Sequence, residues 1–262
     1  MKTFNRVIIE SEKVFEKVID GYFKPKGIKV DISDVVILGL LENLINHSKS
    51  MKILLENNHY ASLDTILRVI FENFVFIKYI LDKDTEYRSK SYFYSTKIKE
   101  IKLLNMITED SLEGSEVRKF LELKKDEVKE KLKAETMDEN YKTNIYETYS
   151  RDFGMSHPNQ KWYNLDGKTK SLKLLCEKLG LTIDFNLIYS ILSIETHGKD
   201  AIRNFSIEED RVDLINMVKN KELYLSMSAM YIMESVGLIY SHYDLKRLLK
   251  TFNTMVAINH FR

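Results

Sequence analysis

The chain has 262 residues, and its 40 basic and 39 acidic side chains give a formal net charge of +1. That balance excludes a global positive field that recruits nucleic acid or an anionic membrane, so any such binding has to be local. Two prolines and nine glycines are few for this length and favour a nearly all-helical protein.

The cysteine content and the apolar segments indicate the compartment. The single Cys176 excludes an intramolecular disulfide and a cysteine-rich zinc site, and it fits a reducing environment. The first residues spread charge along an amphipathic pattern and lack the apolar core of a signal peptide. Residues 223–240 come nearest to a membrane span, but Glu234 and three serines interrupt them. We therefore expect a cytoplasmic protein with no membrane partner.

Helical periodicity dominates the first part of the chain. Apolar residues at helical spacing predict a first helix that stops at Gly21. Asp31 or Ser33 caps a second helix, which runs to about residue 58. The pattern predicts a third helix over residues 65–81 and a fourth from about Thr85.

Residues 87–104 interleave basic and aromatic side chains, a composition that can grip single-stranded nucleic acid by charge and stacking. The same spacing fits an amphipathic helix whose aromatic rings pack inward while its lysines stay solvated. Residues 115–135 are dense in both signs of charge and predict a solvated helix. We expect a protruding charged helical hairpin at about 97–140, which is suited to contacts in a homodimer.

The second half of the chain is less uniform. Residues 136–167 have the least regular pattern. Two helices that end at Gly180 and Gly198 follow, and the last helical region, from about 208 to 261, is broken or bent near Gly237 and Tyr243. No repeat and no strong β pattern is visible. The sequence predicts an all-α fold, a single multi-helix bundle over residues 1–262.

The strongest candidate for a functional site lies on the third helix. Asp64, Arg68 and Glu72 form one polar stripe, while apolar side chains cover most of the remaining circumference. Two opposite charges in apolar surroundings are costly unless they are paired or face a wet pocket. The stripe is therefore either an ion pair that holds helices together or the wall of a cleft, with Tyr60 and Tyr189 as further ligand-contacting residues.

A second polar face lies on the helix that ends at Gly198. Tyr189, Ser193 and His197 recur at i, i+4 and i+8 and so share that face. His197 precedes the end of the helix, where the helix dipole favours the imidazolium form. Such a histidine is either a helix cap or a proton donor that also grips phosphate.

Arg151 and His157, in SRDFGMSHP, have an R-x5-H spacing that resembles the signature of the HEPN ribonucleases, an all-helical family of RNA-cleaving toxins and defence effectors. The resemblance implies that this pair binds and cleaves an RNA phosphodiester without a metal, usually across a homodimer. The match to this signature includes an acidic residue directly after the arginine, Asp152. Gly154 and Pro158 place this motif in a loop, in our interpretation.

A larger part of the chain resembles an uncharacterised family of helical bacterial proteins of unknown function. The resemblance rests on NNHYASLDTILRVIFENFVFIKYIL and on WYNLDGKTKSLKLLCEKLGL followed by YSILSIETHG. It implies that Arg68, Glu72, Ser193 and His197 belong together, without naming a reaction. It also implies a link to mobile-element or phage-defence loci.

Sequence motifs of familiar cofactor enzymes are missing. The chain has no phosphate-binding glycine loop, no G-x-S-x-G elbow and no H-E-x-x-H. The six histidines never occur as an i, i+4 pair, so we expect no metal and no cofactor.

Two functional hypotheses remain open, beside a third in which the protein is a purely structural homodimer. The first is an intracellular defence or toxin-like effector that cleaves RNA, with Arg68, Glu72 and His197 as catalytic residues. Tyr60, Asp64, Tyr189 and Ser193 then contact the substrate, and Arg151 with His157 is the alternative catalytic pair. The second is a non-enzymatic helical module that binds a nucleotide-like ligand or a protein partner from the same locus.

Overall fold

The structure is a computed structural model that describes residues 2–128, 139–154, 160–192, 205–208, 211–214 and 220–260. The fold is all-α, as predicted, with one small β hairpin in the described residues. The chain divides into two compact units, one formed by residues 1–85 and 173–262 and the other by residues 86–172. The single domain with a charged hairpin at about 97–140 stays a prediction.

The first unit begins with a helical segment that is longer than predicted. Helix α1 (Lys2–Glu12) leads into α2 (Val14–Val18), a π-helical turn (Ile19–Phe23) and the short α3 (Lys24–Lys26). Gly21 therefore lies inside the helical segment and not at its end. The segment ends at Gly27, whose φ of +62° lies in the left-handed region that favours glycine.

Helix α4 (Ile32–Glu56) starts with a capping box. The Asp31 carboxylate accepts hydrogen bonds from the backbone N–H groups of Ser33 (2.7 Å) and Asp34 (3.0 Å). In return, the Asp34 carboxylate accepts from the backbone N–H of Asp31 at 2.8 Å. These bonds satisfy donors that the first turn of a helix leaves unpaired. Asp31, rather than Ser33, is thus the cap.

Helix α5 (Leu63–Asp82) packs along α4 and carries the predicted polar stripe. After the second unit, the chain returns through α9 (Leu172–Lys178), α10 (Thr182–Phe185) and a π-helical segment (Asn186–Leu192). Helix α9 ends before Gly180, as predicted, and that glycine has a φ of +73°.

The last helical region starts later than predicted. Strands β1 (Phe205–Glu208) and β2 (Arg211–Leu214) form an antiparallel hairpin in which Phe205 lies opposite Leu214. Helices α11 (Lys221–His242) and α12 (Lys246–His260) follow. The chain bends at Tyr243, as predicted, whereas Gly237 lies inside α11 and does not interrupt it.

Helix α11 is the central element of the first unit, because it packs against α1, α4 and α5. Ser48 and Ser228, which are both fully buried, join α4 to α11 through a 2.7 Å hydrogen bond between their hydroxyl groups. Within the described ranges, α11 is the one helix long and apolar enough to cross a membrane, yet 61% of that stretch is buried inside the protein. Burial of this kind is typical of a core helix.

Two tyrosines of α11 and a third, which is its C-terminal cap, each donate a hydrogen bond to an aspartate on another element. Tyr224 donates to Asp64 of α5, and Tyr231 donates to Asp184 of α10 at 3.0 Å. Tyr243 donates to Asp34 of α4 at 2.8 Å. The helix is thus attached to three different elements through phenol–carboxylate pairs.

The second unit contains α6 (Thr85–Thr108), α7 (Leu112–Phe120), a 3₁₀ turn (Lys125–Glu127) and α8 (Glu139–Phe153). Helices α6 and α8 share a small apolar core formed by Ile98, Ile101, Ile145, Tyr149 and Phe153. Helix α8 lies within residues 136–167, the part of the sequence with the least regular pattern. Its buried positions are mostly tyrosine and phenylalanine within a polar sequence, which weakens the helical periodicity.

Helix α7 also differs from the sequence prediction. We expected a helix over residues 115–135, but α7 ends at Phe120, and Glu122 adopts a left-handed φ of +53°. Residues 129–138 lie outside the described part of the chain. Arg118 holds the turn between α6 and α7, because its guanidinium donates to the carbonyl oxygens of Ile107 (2.6 Å) and Glu109 (2.9 Å).

The aromatic side chains of α6 pack within the second unit. The ring of Tyr87 stacks on Phe153 at 4.8 Å, and the ring of Tyr92 meets Trp162 edge-on at 5.0 Å. Lys90 and Lys97 form ion pairs with glutamates on the same helix. This packing favours the amphipathic interpretation of residues 87–104 over the nucleic-acid interpretation.

Candidate functional site

Arg68 and Glu72 form an ion pair on the surface of α5. Arg68 Nε donates to Glu72 Oε1 at 3.0 Å, across one helical turn. The two side chains remain 31% and 30% exposed. A pair one-third open to solvent is accessible to a ligand, so the arrangement is compatible with a cleft as well as with a structural role.

Tyr189 joins this pair from the π-helical segment. Its ring centre lies 4.2 Å from Arg68 Cζ, and its hydroxyl donates a hydrogen bond to Glu72 Oε1. The guanidinium is therefore held by a carboxylate along one edge and by an aromatic face. Short π-helical segments are rare and often occur at functional sites.

A second ring continues this arrangement. Phe185, at the end of α10, stacks on Tyr189 with ring centres 4.5 Å apart and planes 10° apart. Tyr189 thus contacts both Arg68 and Phe185 through its ring. The four side chains Arg68, Glu72, Phe185 and Tyr189 are called the Arg68 cluster below.

The electrostatics of the Arg68 cluster fix its protonation state. Burial lowers the pKa of Arg68, but the hydrogen bond that Arg68 donates to Glu72 and the contact with Tyr189 outweigh this effect, so the net pKa is raised. Burial, followed by the hydrogen bond to Glu72, raises the pKa of Tyr189 well above its ordinary value. At neutral pH the cluster therefore presents a guanidinium cation and a neutral phenol.

Negative charge is also present near the cluster. Burial raises the pKa of the Cys176 thiol to about 12, with further contributions from Asp184, Glu72 and Glu177. The thiol is fully buried and remains protonated at neutral pH, which argues against a nucleophilic role. Of these carboxylates, Glu72 also pairs with Arg68 and compensates its charge.

Two of the predicted substrate-contacting residues form a separate group. Asp64 is only 4% exposed and accepts the hydrogen bond from Tyr224. The hydroxyl of Tyr60 donates to Asn58 Oδ1 at 3.2 Å, and Lys221 donates to the same oxygen at 2.7 Å. These contacts tie the start of α5 to the start of α11. A substrate role for Tyr60 and Asp64 stays a prediction.

The remaining residues of the predicted cleft, Ser193 and His197, lie outside the described residues. The structure therefore brings together Arg68, Glu72 and Tyr189 from the sequence-derived set. It adds Phe185, which the sequence reasoning missed. Its signal was its position four residues before Tyr189, since residues at i and i+4 on a helix are neighbours.

The alternative catalytic pair is described only in part. Arg151 lies in the last turn of α8, which corrects its expected position in a loop, and Gly154 follows that helix with a φ of +61°. The side chain of Arg151 is 71% exposed and donates to Asp152 at 2.7 Å. His157 lies outside the described residues.

Two open cavities of the first unit lie away from the Arg68 cluster. An open cavity of about 510 Å³ lies between residues 16–21 and 244–248, and one of about 470 Å³ lies along α12. Among the described residues, no group of three or more histidine, cysteine or acidic side chains is arranged to hold a metal ion.

Comparison with known proteins identifies the family. No curated protein and no solved structure matches the chain significantly. Residues 34–214 match a family of unknown function, DUF5677. The matched region runs from the capping box of α4 to the end of β2 and includes the whole Arg68 cluster. Since it covers well over half of the sequence, the chain belongs to the DUF5677 family of unknown function.

Proposed function

We propose that this protein binds a phosphate-bearing ligand, a nucleotide or an RNA strand, through the Arg68 cluster. The observation that supports the proposal is the state of Arg68, whose guanidinium is held by Glu72 and Tyr189 yet remains 31% exposed. A guanidinium fixed in this way loses little conformational freedom when it binds an oxyanion. Its two terminal nitrogens can then donate to phosphate oxygens.

Binding at Arg68 can be tested against a matched ion pair on the same helix. Lys78 of α5 pairs with Glu234, and its side chain is 26% exposed. The Arg68→Ala variant should bind AMP or an oligoadenylate at least about tenfold more weakly than wild type, because it loses a charge-assisted hydrogen bond. The Lys78→Ala variant should bind like wild type. Isothermal titration calorimetry measures both, and equal affinities for Arg68→Ala and wild type would remove the proposal.

RNA cleavage is the second candidate function. It is favoured by the second carboxylate oxygen of Glu72, Oε2, which accepts no hydrogen bond from the described residues and belongs to a side chain that is 30% exposed. We propose that Glu72 takes the proton of a 2′-hydroxyl, whose oxygen attacks the adjacent phosphorus. His197 gives a proton to the departing 5′-oxygen, and Arg68 stabilises the charge on the phosphorane. The products are a 2′,3′-cyclic phosphate and a free 5′-hydroxyl.

Cleavage can be tested by following RNA integrity in cells. Expression of the wild type should degrade RNA, and Arg68→Ala or His197→Ala should abolish this while melting at a temperature close to that of wild type. If only an Arg151→Ala/His157→Ala variant is inactive, the reaction belongs to the HEPN-like motif instead. Intact RNA with folded wild-type protein eliminates cleavage and leaves the binding function.

The biological setting follows from family resemblance alone. We propose a cytoplasmic defence or toxin-like effector that acts as a homodimer or together with a protein encoded at the same locus. Growth arrest on induction, or a reduced efficiency of phage plating, supports this role. Light scattering determines whether the protein is a dimer, and normal growth together with normal plating argues against the role.

A further inference from the structure

The segment that carries Tyr189 is attached to α5 and to α11 by polar contacts. On the side of α5, the hydroxyl of Tyr189 donates to Glu72, and the ring lies against Arg68. On the side of α11, the hydroxyl of Tyr231 donates to Asp184 of α10 at 3.0 Å. Asp184 precedes Tyr189 by five positions. The contact with α11 therefore acts on the same short stretch of chain that approaches Arg68.

The surroundings of Tyr231 hold its hydroxyl in place. Tyr231 is fully buried, and its ring stacks on Phe74 of α5 with ring centres 4.9 Å apart and planes 23° apart. Its ring centre lies 5.5 Å from that of Phe71, which in turn lies 6.5 Å from that of Tyr189. Burial, followed by the charge of Asp184, raises the pKa of Tyr231 well above its ordinary value, so the phenol is neutral at neutral pH and donates the hydrogen bond. Because close-packed rings move little, this donor is a fixed point for α10.

We infer that Tyr231 is a positioning residue for the Arg68 cluster. Its hydrogen bond fixes Asp184 and thereby the segment that places the ring of Tyr189 against the guanidinium. The inference rests on the proposed function, in which Arg68 binds a phosphate. A guanidinium that is ordered before binding loses less conformational freedom when the ligand arrives. Without the Tyr231 hydroxyl, the half-buried carboxylate of Asp184 turns to water, and the contact between Tyr189 and Arg68 loosens.

The Tyr231→Phe variant tests the hydrogen bond alone, because it keeps the ring that packs on α5. Tyr243→Phe is the matched control, since it removes a phenol–carboxylate hydrogen bond of another buried tyrosine, to Asp34, at the end of the same helix and outside the Arg68 cluster. Thermal melting checks the folding of each variant. A general loss of stability should appear in both variants, so a change confined to Tyr231→Phe reports on positioning.

The first readout is the NMR signal of the Arg68 side-chain Nε–H in the protein without ligand, assigned by its absence from Arg68→Lys. The ring current of Tyr189 shifts this signal, and Tyr189→Leu should remove that shift. Tyr231→Phe should move the signal towards its position in Tyr189→Leu, whereas Tyr243→Phe should leave it in place. If the signal is the same in Tyr231→Phe and wild type, or moves equally in Tyr243→Phe, the inference is overturned.

The second readout is the affinity for AMP and for the oligoadenylate, measured by calorimetry. Tyr231→Phe should weaken binding by roughly threefold or more, and Tyr243→Phe should not. In a Tyr189→Leu background, Tyr231→Phe should have no further effect, because it acts through that ring. Equal affinities of Tyr231→Phe and Tyr243→Phe overturn the inference, and the proposed function stands if Arg68→Ala still weakens binding. If Arg68→Ala binds as tightly as wild type, or wild type binds neither ligand, the proposed function fails, while the NMR signal still decides whether Tyr231 positions Arg68.

Discussion

Replacing Tyr189 with phenylalanine separates the two contacts that this residue makes. The ring over Arg68 and against Phe185 is retained, and the hydroxyl that donates to Glu72 is lost. Hydrogen bonds to charged groups contribute about 1.5–3 kcal/mol, but Glu72 is 30% exposed and water can replace the phenol, so we expect about 1 kcal/mol of destabilisation. In urea this corresponds to a midpoint lower by roughly 0.3–1 M.

The same variant should change how stability depends on alkaline pH. Below pH 10, the ordinary pKa of tyrosine, the phenol is neutral in both the folded and the unfolded chain, so its contribution to stability is fully present. Above it, the unfolded chain ionises first, since burial and Glu72 raise the pKa of Tyr189 in the folded protein, and the contribution is progressively lost. Tyr189→Phe should therefore lose less stability than wild type between about pH 9 and pH 11.

Urea unfolding at neutral pH, at about pH 9 and at about pH 11, followed by circular dichroism, measures these effects. Tyr146→Phe is the matched control, because Tyr146 is exposed and its hydroxyl has no hydrogen bond in the described structure. A double-mutant cycle with Glu72→Ala should give a coupling energy of about 1 kcal/mol between Tyr189 and Glu72. Identical midpoints for Tyr189→Phe and wild type at neutral pH, together with zero coupling, would refute the assigned contact.

Three further predictions concern buried contacts outside the Arg68 cluster. Tyr224→Phe should destabilise the protein by about 1–3 kcal/mol in urea unfolding, because the buried carboxylate of Asp64 loses the hydrogen bond from the Tyr224 hydroxyl. An unchanged urea midpoint would contradict this prediction. Gly114→Ala should lower the melting temperature, since the new Cβ would lie 2.5 Å from the carbonyl oxygen of Glu109. Gly39→Ala should leave the melting temperature unchanged, because a Cβ at Gly39 meets no atom within 4 Å. Equal melting temperatures for the two alanine variants would rule out this close approach. Cys176 should react with a thiol reagent at pH 8 only after unfolding, since the thiol is buried and burial raises its pKa to about 12. Rapid labelling of the native protein would show that the thiol is accessible and would contradict this prediction.

The long helices were predictable because their apolar residues repeat at helical spacing and their caps are local. Asp31 was one of the two caps predicted for α4, and Arg68 with Glu72 can be recognised as neighbours from their i, i+4 spacing alone. The same rule placed Tyr189 on a polar face. It could not show that Tyr189 approaches Arg68, because that contact joins residues more than 100 positions apart.

The β hairpin and the role of Phe185 could not be predicted from the sequence, for identifiable physical reasons. The two strands of the hairpin have only four residues each, and their period-two alternation, FSIE and RVDL, is too short to outweigh the helical composition around it. Phe185 was overlooked because its i, i+4 spacing to Tyr189 does not by itself show that the two rings stack. Its importance follows only from the parallel stacking of its ring on Tyr189.

The three phenol–carboxylate pairs of α11 have a consequence for how the chain finds a unique arrangement. A core helix that is apolar on most sides can slide along its neighbours by one turn, about 5.4 Å, and still bury similar area. Tyr224, Tyr231 and Tyr243 each meet one aspartate on a different element, so such a slip would separate all three pairs at once. Each separated pair loses a hydrogen bond, which contributes about 0.5–1.5 kcal/mol. The three pairs thus define the position of α11 along its own axis relative to the elements around it.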